Sequence, residues 1–238
     1  KKPRCGFFVT GGQDTVALRC PSHPWAHALL KAFAGPNFRG LTAPSCNTFG
    51  RISPSRAEHV VEDLGVKPEG KLDFILDGGP CEFGIESTMI NLSGGTPSIL
   101  RHGVITREAI EDVLGTAVPD AGGDAPRASG RLKSHYAPKT KLEVLPRDHF
   151  LERAKELSSK GMRISVMAER LLLDALSAAG IPTVMAIEAP MHALEYGAAL
   201  YENLHQLDHS AADRLLAQAV PDTADWAAVA DRLGRASA

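Results

Sequence analysis

The chain has 238 residues, enough for one large or two modest domains, and 44% of them are hydrophobic, which excludes a wholly disordered protein. The net charge of −2, from 26 basic and 28 acidic side chains, argues against a dedicated nucleic-acid binder. No apolar run approaches the ~20 residues of a membrane span and the start has no signal-peptide pattern, so we expect a cytoplasmic protein that does not enter a membrane.

The first part of the chain predicts one strand followed by two helices. Side chains alternate over residues 15–20, which predicts a strand with Thr15 and Arg19 on the same face. Each of the two helices opens with a serine as the expected N-cap: residues 22–36 with Ser22, and residues 53–65 with Ser55. Ser55 and Glu58 also have the spacing of a capping box, and Gly65 ends the second helix.

The next segment predicts more strands and a helix, completing a mixed α/β domain over residues 1–117. A buried strand that runs into a glycine turn is predicted over 71–80, and the stretches 86–95 and 97–103 predict two further strands joined by a Gly-Gly turn. A short helix follows, capped by Thr106 and ended by Gly115.

Composition then changes in a segment rich in glycine, proline, alanine and serine, residues 118–140. A loop of that length in a compact protein is usually functional or disordered, and we interpret it as a linker. Residues 141–238 form a second domain in which strands and helices alternate, which predicts a small parallel sheet. The predicted strands are 141–145, 163–168 and 182–188, and the predicted helices are 149–161, 170–180, 194–220 and 225–238.

Several motifs are absent from the sequence. It contains no GxxxxGK[ST] loop, GxGxxG turn, HExxH or GxSxG, which excludes the conventional NTPase, dehydrogenase, zinc protease and serine hydrolase signatures. The cysteines match no zinc-ligand spacing, and we expect reduced thiols at Cys5, Cys20, Cys46 and Cys81.

The remaining candidates bind anions or hydroxyl groups, and each has a structural alternative. Arg19 and Arg101 suit a carboxylate or phosphate, or are surface charges on strands. Ser45 and Asn47 bind a ligand or cap a turn, and Ser55 caps a helix or binds an anion there. The glycine-rich stretch "DGGPCEFGIEST" (77–88) is a plain turn or allows close ligand approach before Ser87. Tyr136, in the linker, packs or contacts a ligand.

The order and spacing of "APSCN…SPS", "DGGPC…GIEST", "LRHGVITRE" and "SHYAP" resemble the threonylcarbamoyl-AMP synthase family, and more narrowly its long form. That resemblance covers nearly the whole chain and implies an α/β protein. A YrdC-like catalytic domain with a twisted mixed sheet and helices is followed by a linker and a small Rossmann-like α/β domain. It also implies that L-threonine, bicarbonate and ATP are converted to threonylcarbamoyl-AMP and pyrophosphate.

The resemblance assigns substrate contacts by matched position. L-Threonine contacts are Arg19, Ser45 and Ser87, and ATP contacts are Thr15, Asn47, Ser55, Arg101 and Tyr136. It implies Mg²⁺ with the ATP, no protein-bound metal site and no covalent catalytic residue, so that positioning and electrostatics supply the catalysis. The linker would act as a lid, and the product would pass to a tRNA threonylcarbamoyl transferase complex; weak RNA binding fits the same family.

The chain departs from the family pattern at three places. Cys46 stands where the family usually has alanine, and Ser55 where it usually has threonine. The N-terminal part of the catalytic domain, with its basic motif, is absent, so we expect a piece of a longer protein that is inactive alone. Three alternatives stay open: a related carbamoyltransferase, an RNA-binding YrdC-like module, and a regulatory paralogue. Residues 141–238 carry no catalytic signature, and bracing of the linker is our hypothesis for them.

Overall fold

A computed structural model describes residues 9–35, 40–130 and 134–238. Its first half is mixed α/β, as predicted, with a hairpin of two antiparallel strands among three short helices. These elements are α1 (Pro24–Ala34), α2 (Ala57–Leu64), β1 (Met89–Asn91), β2 (Ser98–Arg101) and α3 (Arg107–Leu114). None of the helices in the described ranges is long and apolar enough to cross a membrane. Of the cysteines, Cys5 lies outside those ranges, and the other three are unpaired.

Two predicted strands are not formed, so the predictions for residues 15–20 and 71–80 are wrong. Phe74 is 80% exposed, so residues 71–80 are not the buried strand that their apolar side chains suggested, and Leu18 in the other segment is 88% exposed. A strand needs the backbone of a neighbour, and alternation indicates only which side chains would share a face. Within the described residues neither segment joins a sheet.

The helix ends show which caps were predicted correctly. Thr106 accepts a hydrogen bond of 3.3 Å from the amide of Ala109, and Gly115 ends α3 in the left-handed region, as predicted. The other two caps are wrong. His23, rather than Ser22, caps α1 by accepting from the amide of Trp25. α2 begins after Arg56 without a side-chain cap, because the hydroxyl of Ser55 lies against side chains elsewhere.

The second half forms a four-stranded parallel sheet in the order β3-β6-β4-β5, confirming the parallel sheet predicted there. Its elements are β3 (Leu142–Leu145), α4 (Arg147–Ser159), β4 (Ile164–Ala168), α5 (Arg170–Ala178), β5 (Met185–Glu188), α6 (Ala193–His209), β6 (Arg214–Gln218) and α7 (Ala227–Ala236). The helix predicted over 194–220 is wrong in its last part, because β6 forms there between β3 and β4. Leu215, Leu216 and Ala217 are fully buried on both faces of the sheet, and such a continuous apolar run has no strand period.

Helices cover both faces of this sheet. α4 and α5 pack on one face against Ile164 and Val166, whereas α6 and α7 pack on the other face against Met167 and Leu215. The core between the sheet and α6 and α7 also contains Ile52, from the first half, and Tyr136, from the linker. The face covered by α6 and α7 is therefore the face on which the predicted substrate-binding segments rest.

Candidate functional site

The predicted binding segments meet where the first half contacts α6 and α7. The turn around Asn47 is held by its own side chain, whose Nδ2 donates to the carbonyls of Arg51 (3.0 Å), Thr48 (3.2 Å) and Ile52 (3.4 Å). Asn47 Oδ1 is buried and accepts no hydrogen bond within the described ranges. Since buried polar atoms are nearly always paired, the amide braces its turn and leaves an acceptor available for a ligand.

The linker docks on this turn. The amide of Ala137 donates to the carbonyl of Gly50 at 2.9 Å, and the amide of His135 donates to the carbonyl of Arg235 at 3.1 Å. Tyr136 lies between them with 1% of its surface exposed and with φ at +63°, a value that non-glycine residues rarely adopt. The linker thus joins the Asn47 turn to α7 and buries one tyrosine between them.

The hydroxyl of Tyr136 has no hydrogen-bond partner in the described part of the chain, although it is buried. It lies so close to Gly130 that a Cβ there would be 2.2 Å from the hydroxyl oxygen and 3.2 Å from Nη1 of Arg101. Burial, followed by the charge of Glu86, raises the pKa of Tyr136, so the hydroxyl keeps its proton. It is therefore a hydrogen-bond donor beside a buried cation.

That cation, Arg101, is 6% exposed, and within the described residues it hydrogen bonds only to backbone carbonyls. Nε and Nη2 donate to the carbonyl of Ser87 at 3.2 and 3.0 Å, and Nη1 donates to the carbonyl of Ser129 at 3.2 Å. Burial lowers the pKa of Arg101, and the positive charges of Arg232 and Arg19 lower it further. The negative charge of Glu86 acts in the opposite direction. A buried guanidinium bonded only to carbonyls, with other arginines near it, favours binding of an anion such as phosphate.

Glu86 is the carboxylate at the centre of this region. Its Oε1 accepts from the hydroxyl of Ser53 at 2.7 Å, and its Oε2 accepts from the hydroxyl of Tyr201 at 2.8 Å and Nε of Arg232 at 3.0 Å. Burial alone would raise the pKa of Glu86, but Arg232 and these hydrogen bonds outweigh it and lower the pKa. Glu86 is therefore ionised and fully occupied in holding structure, which makes it unsuitable as a general base.

Not every predicted residue joins this group. The hydroxyl of Ser55 is buried beside Nδ1 of His59 (3.3 Å) and Oε2 of Glu202 (3.4 Å). Thr15 and Ser45 have no hydrogen bonds to other described residues. Arg19 is exposed but near enough for its charge to act on Arg101. Thus Ser87, Arg101 and Tyr136 come together with Arg19 nearby, and the Asn47 turn contacts the linker that carries Tyr136. Within the described residues the structure does not fix Thr15 or Ser45 by hydrogen bonds.

Three residues at the centre were missed from the sequence: Glu86, Tyr201 and Arg232. Glu86 lies inside the quoted "GIEST" stretch, and its position directly before Ser87 was the only available signal. Tyr201 and Arg232 lie on helices whose amphipathic pattern indicates a buried face but not what that face meets. Gly84 was expected to let a ligand approach, but a Cβ there would be 2.3 Å from the carbonyl oxygen of Ala198, so the close approach is to α6.

Comparison with known proteins places the chain among proteins with this architecture. Residues 105–238 match the family model described as "Threonylcarbamoyl-AMP synthase, C-terminal domain", and residues 2–103 match the one described as "Telomere recombination". The chain is 33% identical to the threonylcarbamoyl-AMP synthase of Bacillus subtilis over 96% of its length, and 33% identical to that of Pyrococcus abyssi, also over 96%. The crystal structure of P. abyssi Sua5 complexed with L-threonine superposes with a TM-score of 0.81, at 30% identity over 97% of the chain.

The chain belongs to the threonylcarbamoyl-AMP synthase family. It covers 65% of the length of the B. subtilis protein and 66% of both the P. abyssi protein and the P. abyssi structure. The α/β fold predicted from the motifs is confirmed by this match in architecture.

Proposed function

We propose that this chain supplies the substrate site of an L-threonylcarbamoyladenylate synthase. The observation that carries the proposal is the proximity of the Arg101 guanidinium to the Tyr136 hydroxyl. A buried guanidinium bonded only to carbonyls lies next to a buried hydroxyl without a partner in the described ranges, and together they offer donors to a phosphate oxygen. Family membership supports the same reaction.

The proposed substrate roles rest on the positions that match the motifs of the family. Arg101, Tyr136, Asn47, Ser55 and Thr15 are proposed to contact ATP, with the unpaired Oδ1 of Asn47 accepting from the nucleotide. The proposed L-threonine contacts are Arg19, Ser45 and Ser87, with the guanidinium of Arg19 binding the threonine carboxylate. Ser87 adjoins a proposed ATP contact, since Arg101 donates to its carbonyl.

Mg²⁺ is proposed to arrive as part of the ATP substrate, bound to its phosphates. Within the described residues no group of three or more histidine, cysteine, aspartate or glutamate side chains is arranged to hold a metal ion. The guanidinium of Arg101 and the hydroxyl of Tyr136 are hydrogen-bond donors, which suit phosphate oxygens rather than a cation.

The chemistry requires no covalent enzyme nucleophile. The amine of threonine combines with bicarbonate to form a carbamate and water, and a carbamate oxygen then attacks the α-phosphate of ATP. A P–O bond forms there as the bond to the β-phosphate breaks, and pyrophosphate leaves with the electron pair. Bringing the reactants together can supply about 7–11 kcal/mol of the barrier reduction. Arg101 would offset the charge that develops on the phosphate oxygens.

We further propose that the product is passed to a transferase complex that modifies the adenosine beside the anticodon of tRNA, in the cytoplasm. The described cysteines, all unpaired, are consistent with a reducing compartment. Weak RNA binding by this protein would assist that transfer, although the net charge of −2 limits its strength.

The test is pyrophosphate release from ATP by the protein as its gene encodes it, with L-threonine and bicarbonate omitted in turn. The proposal expects release only when both are present. Release that requires carbamoyl phosphate instead would identify a related carbamoyltransferase. Salt-dependent RNA affinity without any ATP turnover would identify a binding module or a regulatory paralogue.

A further inference from the structure

Arg232, on α7, is the largest fully buried side chain in the described residues, with 0% of its surface exposed. Nε donates to Oε2 of Glu86 at 3.0 Å, and Nη2 donates to the carbonyl of the same residue at 3.3 Å. Nη1 donates to the carbonyl of His102 at 2.7 Å and to Oδ2 of Asp231 at 3.2 Å. One guanidinium from the second half of the chain thus binds two separate segments of the first half.

The two residues that Arg232 binds in the first half, Glu86 and His102, are each adjacent in sequence to a proposed substrate contact. Glu86 directly precedes Ser87, and His102 directly follows Arg101. The guanidinium carbon of Arg232 also lies 5.8 Å from the ring centre of Tyr136, within the range of a cation–π interaction. All three guanidinium nitrogens of Arg232 donate to protein atoms, so the side chain is engaged in holding structure.

The contacts require the shape of arginine. Its rigid planar fork presents donors in several directions at once, and here it bonds a carboxylate and two carbonyls from different segments. A lysine ammonium offers a single point of attachment and cannot occupy all of these positions together. Burial would lower the pKa of Arg232, but Glu86 outweighs it and raises the pKa, so both partners are charged.

We propose that Arg232 is a positioning residue that fixes the segments carrying Ser87, Arg101 and Tyr136 in register with one another. This inference rests on the proposed function for its catalytic consequence, but the ordering of the segments can be measured without turnover. It assigns to α7, a helix without a catalytic signature, the task of holding the L-threonine and ATP contacts together.

The experiment compares Arg232→Met and Arg232→Lys with Arg153→Met. Arg153 is the control because its Nε and Nη2 bind Glu143 at 2.7 and 2.9 Å, and this part-buried pair lies wholly within the second half of the chain. Steady-state pyrophosphate release is measured well below the melting temperature of each protein. Hydrogen–deuterium exchange is followed in parallel over residues 84–88, 101–103 and 134–137.

The proposal expects Arg232→Met to raise the KM values for L-threonine and ATP about tenfold, with kcat changed less than threefold, and to speed exchange in all three segments. The KM values and exchange rates of Arg232→Lys should lie between those of Arg232→Met and those of the parent. Arg153→Met should change neither KM value by more than twofold. KM values and exchange rates that match the parent in both Arg232 variants would overturn the proposal. So would equal effects of Arg153→Met, which would indicate general destabilisation.

Different results would exclude the proposed function and the positioning role of Arg232. If the parent protein releases no threonine-dependent pyrophosphate but the Arg232 variants still speed exchange in the three segments, the proposed function is wrong and the positioning role stands. If the parent is active and the variants leave KM and exchange unchanged, the positioning role is wrong and the proposed function stands. If Arg232→Met does not fold, pyrophosphate release and hydrogen–deuterium exchange are measured on Arg232→Lys.

Discussion

The hydroxyl of Tyr201, on α6, donates a hydrogen bond of 2.8 Å to Oε2 of Glu86, in the loop before β1. The same carboxylate oxygen accepts from Arg232, on α7, so two helices of the second half bind one carboxylate of the first. This carboxylate immediately precedes Ser87, a proposed L-threonine contact. The contact between the two halves therefore helps to build the proposed substrate site.

Replacing Tyr201 by phenylalanine should destabilise the protein by about 1.5–3 kcal/mol, the usual worth of a hydrogen bond to a charged group. The carboxylate of Glu86 would lose one donor while remaining mostly buried. Urea unfolding measures the change. Tyr196→Phe is the control, because the buried hydroxyl of Tyr196 has no partner in the described ranges, and its removal should leave stability almost unchanged. Equal losses in the two variants would contradict the role given to Tyr201.

Replacing Gly84 by alanine should cost more stability than replacing Gly161. Both glycines have positive φ, +70° and +73°, so both substitutions introduce the same backbone strain. Only at Gly84 would the new Cβ collide with the backbone of α6, whereas nothing lies within 4 Å of it at Gly161. Overpacking of this kind typically costs about 1–3 kcal/mol, which is the difference expected between the two variants in urea unfolding. Equal losses would show that the loop does not press on α6.

The ionised state of Glu86 should contribute to stability in a pH-dependent way. Its pKa in the folded protein lies below the ordinary value of 4.5, so its contribution is present above about pH 4.5 and is lost as the pH falls through the folded-state pKa. The free energy of unfolding of the parent should exceed that of Glu86→Gln by more at pH 6 than at pH 3.5. Glu82→Gln, at an exposed position in the same loop, should follow the parent at every pH. A constant gap between the parent and Glu86→Gln would contradict the assignment.

Tyr136→Phe should separate binding from stability. The hydroxyl of Tyr136 has no partner in the described protein, so its removal should not lower the melting temperature. If that hydroxyl donates to a nucleotide phosphate, the loss of a charged hydrogen bond worth about 1.5–3 kcal/mol should raise the KM for ATP about 10- to 100-fold. A lower melting temperature with an unchanged KM for ATP would mean that the tyrosine serves packing alone.

Features that depend on neighbouring residues in the sequence could be predicted. The cap at Thr106 and the stop at Gly115 need only residues within one turn of α3, and both are present. The β1–β2 hairpin likewise follows from its Gly-Gly turn. By contrast, a strand over residues 15–20 requires a partner backbone, which its own alternation cannot supply.

The candidate site could be predicted only in part, because some of its residues are brought together by distant parts of the chain. Asn47 and Tyr136 were recognised from motifs, and the structure brings the turn and the linker that carry them into contact. Arg232 could not be identified, because a polar side chain on an amphipathic helix gives no sign of which distant carboxylate it will meet. The pairing of Arg232 with Glu86 spans 146 positions of the chain and is set by packing of the two halves.

The most direct measurement is mass spectrometry of the product formed from ATP, L-threonine and ¹³C-labelled bicarbonate by the protein as its gene encodes it. The account predicts an adenylate that contains threonine and one ¹³C atom, formed together with pyrophosphate, and not formed when L-threonine is omitted. Release of pyrophosphate without such an adenylate, or an adenylate that forms only when carbamoyl phosphate is added and that carries no ¹³C, would contradict it.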